Sequence, residues 1–77
     1  MNELSQYAFR CRRGMKELDV VLERYLKGAF RQADVMEKQC FDELLELQDP
    51  QLFAWIFELE AVPKHYQALT AKIRQFS

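Results

Sequence analysis

Apolar positions fall at Leu4, Ala8, Cys11, Met15, Leu18, Leu22, Tyr25 and Ala29, in steps that alternate four and three. That spacing is the stripe of an amphipathic helix, whose 3.6-residue period gathers such positions on one face. Val21 and Leu26 widen the stripe to the breadth a globular core needs. Gly14 interrupts it, at about 1 kcal/mol relative to alanine inside a helix. Two readings of Gly14 stay open: it caps the end of a first short helix, or a partner must approach its backbone closely. We expect a short first helix, a turn near residues 12–14, and a longer helix over about residues 15–30.

Asp34 followed by Glu37 has the form of an N-cap with its return partner. Met36, Cys40, Phe41, Leu44, Leu45 and Leu47 then space a third helix. Gln48, Asp49 and Pro50 punctuate again. Asp49 suits an N-cap, and Pro50 suits a first helical turn, where its missing N–H has no partner to lose. Leu52, Phe53, Trp55, Ile56 and Leu59 form a short fourth helix, apolar almost all round and therefore central. Val62 and Pro63 end or turn that segment, and Tyr66, Leu69, Ile73 and Phe76 space a fifth helix. No strand-like alternation is sustained and no repeat is visible. The expectation is an all-α protein, a compact five-helix bundle in a single domain over residues 1–77.

Composition narrows the class. At 77 residues the chain is near the lower limit for folding on one core, so every apolar face must be used. With 49% hydrophobic and 13% aromatic residues it belongs with globular rather than disordered chains. Two Gly and two Pro are too few for the turns of a β-sandwich. The longest apolar run, residues 52–57, is far short of the roughly 20 that span a bilayer. The first five residues lack the basic and apolar regions of a signal peptide. A cytoplasmic protein without membrane insertion is expected. Cys11 and Cys40 fit that compartment, because a small secreted domain usually carries four or more cysteines as a framework. They read as small apolar core residues with free thiols, with a mutual disulfide as the alternative.

Charge is unevenly distributed around a net of −1. Residues 1–31 carry seven Lys/Arg against four acids, a net of +3; residues 32–60 carry Lys38 against eight acids, a net of −7; residues 61–77 carry a net of +3. A dipolar surface of this kind steers and orients a protein partner. On charge alone, ordinary solvated faces of amphipathic helices are the simpler explanation.

Catalytic signatures are missing from the sequence, and the expectation is a non-enzyme. His65 is the single histidine, with no nucleophile and acid at triad-like spacing, and reads as a surface residue. There is no C-x-x-C or paired histidine for zinc, and Gly14 and Gly28 stand alone rather than in a phosphate-cradling loop. Asp42 and Glu43 are adjacent on a helix and point apart, as on a solvated face. Arg10, Arg12, Arg13 and Lys16 form a basic cluster, but Glu17, Asp19 and Glu23 follow at once and the pI is near 5.8. No nucleic-acid partner is expected.

The most informative segment is Arg13-Gly14-Met15-Lys16-Glu17-Leu18-Asp19. On a helix Arg13 and Glu17 would be i and i+4 and share a face. An exposed pair contributes only about 0.3–0.5 kcal/mol, too little to justify a glycine inside the pattern. Docking suits it better: a missing Cβ admits a partner's backbone, while a guanidinium and a carboxylate fix its polar groups.

The run from Cys11 through Arg13-Gly14-Met15-Lys16-Glu17 to Asp19 resembles the R-G-x-x-E signature of the bacterial FAD assembly factors of the SdhE type, related to mitochondrial succinate dehydrogenase assembly factor 2. The block Leu44-Leu45, Asp49-Pro50 and Leu52-Phe53-Ala54-Trp55 resembles a second region of that family, in the same order and at the same spacing. Together they span residues 10 to about 57; residues 58–77 match poorly, so the fifth helix rests on periodicity alone. The chain also stops a little early for the family and lacks a basic tail after the last helix, so no contact through such a tail is expected.

The resemblance implies an assembly chaperone that binds the flavoprotein subunit of succinate dehydrogenase, and of fumarate reductase. Such a chaperone promotes covalent attachment of FAD to that subunit, acting on FAD in the partner without stably binding a cofactor itself. It places partner binding on Arg13, Gly14 and Glu17, with Asp19 also at a family position and Arg12 and Lys16 flanking them. Trp55 matches too and reads as a buried core anchor. A monomer is expected when the chain is free. An antitoxin-type regulator and a helical protein-binding adaptor are the alternatives.

Overall fold

The computed structural model describes residues 3–75, and the expected fifth-helix position Phe76 lies outside them. Five α-helices and one 3-10 turn follow in order among the described residues: α1 (Glu3–Arg10), α2 (Lys16–Lys27), the 3-10 turn (Ala29–Gln32), α3 (Val35–Leu45), α4 (Asp49–Ile56) and α5 (Lys64–Gln75). The five-helix, all-α reading therefore holds. The radius of gyration is 11.3 Å, against about 11.5 Å for one compact domain of this length.

α2 is the spine. It buries Leu18, Val21, Leu22, Tyr25 and Leu26, the i, i+3, i+4, i+7 and i+8 positions of one face. Glu17 and Asp19 occupy its first turn and Arg24 and Lys27 its last, complementing the helix dipole at both ends. The helix stops at Lys27, short of the expected Phe30. Gly28 ends it, and the 3-10 turn that follows delivers Phe30 into the core. α2 packs on α1 and α5, and α5 packs on α3 and α4. Tyr7, Tyr25, Phe30 and Phe41 meet between these elements, with ring centroids 4.8–6.2 Å apart. Each such pair adds roughly 0.5–1.5 kcal/mol beyond the area it buries.

Asp34 caps α3 as expected, its Oδ1 accepting the Glu37 amide at 2.8 Å. The return half of the box does not form. The Glu37 carboxylate turns inward, accepting from the Tyr25 hydroxyl at 2.5 Å and pairing with Lys72 Nζ at 2.8 Å. Burial and that carboxylate push the Tyr25 phenol well above its ordinary range. Met36, expected on the apolar face, is 69% exposed; Phe41, Leu44 and Leu45 form the buried face instead.

At α4 the N-cap is Gln48, and Asp49 and Pro50 are the first two helical residues, so Asp49 is not the cap. α4 ends at Ile56, earlier than the Val62–Pro63 stop read from the sequence, because the chain turns left-handed at Glu58 (φ 61°). The Leu59 amide reaches back to Ala54 O at 2.8 Å and the Glu58 amide to Trp55 O at 3.4 Å, the two bonds of a Schellman ending.

Both thiols are free in the structure. Cys11 is buried in the core, and burial pushes its thiol up to about 12. Cys40 is half-buried on α3.

Candidate functional site

The end of α1 sets the site. The Cys11 amide bonds Tyr7 O at 2.9 Å and the Arg12 amide bonds Phe9 O at 3.2 Å, after which residues 11–15 cross to α2 as a loop. Met15 occupies the N-cap position of α2 with extended backbone and no side-chain cap. A carboxylate in the first turn of α2 holds the loop instead. Asp19 Oδ1 accepts the Arg13 amide at 2.7 Å, and Asp19 Oδ2 accepts the Gly14 amide at 3.3 Å. Gly14 lies between them at φ +88°, and a Cβ built there would meet nothing within 4 Å. Its requirement for glycine within the free chain is therefore conformational rather than steric.

Arg13 is the second fixture. Its Nε donates to Asp49 Oδ1 at 2.7 Å, its Nη1 to Leu45 O at 2.8 Å and Arg10 O at 3.4 Å, and its Nη2 to Leu47 O. The side chain is 14% exposed. α3 has no basic residue in its last turn, so this arginine from a remote loop satisfies carbonyls that the helix end leaves open. Beside it Arg10 pairs with Asp42 at 2.5 Å and bonds Asp42 O at 3.1 Å, fastening the end of α1 to α3.

The helical i, i+4 reading of the motif is corrected by this geometry, because Arg13 precedes α2 and its guanidinium turns in to the α3–α4 joint. Glu17 stands exposed on the first turn of α2. Arg12, Gly14 and Lys16 are exposed too, while Asp19 is half-buried under the loop. The structure thus gathers all six sequence-selected residues within one loop and helix start, four outward and two with internal partners.

Asp49 is the member sequence reasoning placed elsewhere. It is 36 positions from Arg13, and no local pattern joins the two. Trp55 is half-buried and stacks on Tyr66, centroids 5.6 Å apart.

Away from the loop, His65 Nε2 lies 3.5 Å from Cys40 Sγ and 3.8 Å from Glu43 Oε1. Burial, and the carboxylates of Glu43, Glu37 and Asp34, raise the Cys40 thiol. Among the described residues no group of three or more His, Cys, Asp or Glu side chains could hold a metal ion. No helix among them is long and apolar enough to cross a membrane.

Fold and loop together define the class: a small all-α protein with a pinned, charged loop at its surface. The family model described as "Flavinator of succinate dehydrogenase" matches residues 5–77, and the chain belongs to that family. The match extends beyond the two blocks read from the sequence, over residues 58–77 as well. A relative from Methylococcus capsulatus, "FAD assembly factor SdhE", is 45% identical over 96% of this chain and 90% of its own length. A protein of the same name from Coxiella burnetii is 37% identical over 90% of this chain and 85% of its own. One from Legionella pneumophila (strain Lens) is 35% identical over 94% and 91% respectively. No solved structure matches the chain significantly.

Proposed function

We propose that this protein is an assembly factor that binds the flavoprotein subunit of succinate dehydrogenase and promotes its covalent flavinylation. The observation that carries the reading is the family match over residues 5–77. Fumarate reductase, which carries a flavoprotein of the same kind, is a second client. Arg12, Gly14, Lys16 and Glu17 form the exposed face that meets the flavoprotein, and Arg13 and Asp19 hold that face in shape. FAD is the partner's cargo, and no stable complex between FAD and this chain is part of the reading. The assembly factor works in the cytoplasm, as a monomer when free.

Acceleration of this kind needs no nucleophile in the helper. A protein that binds only the flavinylation-competent conformation of its client raises the population of that conformation, by as much as its differential affinity allows. Flavin fluorescence of the denatured flavoprotein in a gel tests this, because denaturation removes FAD that is not covalently bound. Deleting the protein should abolish the band; wild type should restore it and Glu17→Ala should not. Equal fluorescence with and without the protein would sink the reading and bring the adaptor or antitoxin alternatives forward.

A further inference from the structure

We infer that Asp49, at the start of α4, is a positioning residue of the docking loop, acting through the Arg13 guanidinium to fix residues 11–15. The inference rests on the functional reading above and extends it to a residue outside the loop. Arg13 has five N–H donors, and four are committed to Asp49, Leu45, Arg10 and Leu47. A guanidinium so committed is not a free fork for a partner. It is a buckle, and Asp49 is its only charged partner among the described residues. The other three acceptors are backbone carbonyls around the end of α3 and of α1.

The ends of the loop are held by Cys11 in the core and Met15 packed against it. Between them Arg12 and Gly14 are exposed, and the backbone there is tied to α2 through Asp19. With Asp49 removed, the largely covered Arg13 cation loses its counter-charge and the loop samples other conformations. A client that needs one conformation then binds more weakly in proportion to the fraction remaining, so a fall to about a tenth gives about tenfold weaker binding. Arg13 and Asp49 act in series, so losing both should be little worse than losing either.

The test uses the full chain and the isolated apo-flavoprotein subunit. Asp49→Ala should speed amide exchange at residues 12–14 about tenfold while Leu22 and Tyr25 in the core keep their protection. It should weaken binding by a similar factor, with Asp49→Asn, which keeps an oxygen for Arg13 Nε, closer to wild type in both readouts. Adding Arg13→Ala to Asp49→Ala should change binding by less than about twofold. A full additional loss in the double variant would mean that Arg13 contacts the client directly, and unchanged loop exchange would mean there is no buckle; either result overturns the inference. Should Asp49→Ala fail to fold, the Asp49→Asn and Arg13→Ala exchange profiles carry the same comparison. Failure of the wild type to bind the flavoprotein would overturn the functional reading and the docking role together, while the exchange data would still report on the buckle separately.

Discussion

At φ +88°, Gly14 occupies a region that L side chains enter at a cost of about 1–2 kcal/mol, and it does so in open space. Those two facts separate conformation from crowding. Gly14→Ala should lower the unfolding free energy by about 1 kcal/mol, a drop of some 4–8 °C in a domain this small, without disturbing the core. Urea melts and core amide protection measure the two parts; a neutral Gly14→Ala would mean the loop relaxes out of its left-handed turn. The sequence singled out Gly14 and left cap and close approach open as its explanations. Only the dihedral and the empty Cβ position show what the free chain asks of it. Its neighbour Arg13 was legible as important but not as inward-facing, because its partners are as many as 36 residues away and no periodicity encodes them.

The helices α3 and α4 share a deficiency that the chain repairs in the same way. Neither has a basic residue in its last turn, and each receives an arginine from a distant element. Arg13 serves Leu45 and Leu47, and Arg74 of α5 donates to Ile56 O at 2.7 Å. The sequence shows the +3, −7, +3 alternation of charge from which such pairs are drawn, and it shows the helices through their apolar spacing. It does not show which charges meet. Helix existence was therefore readable in all five cases, as were the start of α2 after a turn and the Asp34 cap of α3, while two C-terminal ends were not: α2 stops at Lys27 with Gly28 as its cap, and α4 ends in a Schellman turn with a glutamate in the position that favours glycine. Glu58→Gly should stabilise the protein by roughly 0.5–1 kcal/mol, since relief of the left-handed strain outweighs an exposed Arg74 contact at 3.4 Å. Chemical denaturation decides it, and a destabilised Glu58→Gly would show that the ion pair matters more than the turn.

For the whole molecule, one core has to hold everything, and two of its titratable groups set an alkaline limit on it. Cys11 and Tyr25 are both almost fully buried in that core, and burial is the leading reason each holds its proton more tightly than usual. Above pH 9 an unfolded chain begins to release the Cys11 proton, from an ordinary value of 9.0, while the folded chain keeps it until about 12. The unfolded state then binds fewer protons, so raising the pH draws the equilibrium toward unfolding. This part of the stability is fully present below pH 9 and is lost as pH climbs toward 12, at up to about 1.4 kcal/mol per pH unit. Tyr25 adds a loss of the same sign above its ordinary value of 10.0. A domain of this size has only about 4–12 kcal/mol to lose. Cys11→Ala removes the first contribution and leaves a small void, so it should be less stable than wild type by about 1 kcal/mol at pH 7. Its stability should then fall less steeply from pH 9 upward, and the two curves should cross near pH 10. Urea melts of both proteins at pH 7, 9 and 10 trace the curves. Parallel curves would mean that the Cys11 thiol ionises as readily inside the fold as outside it, and that the core around it is open to water.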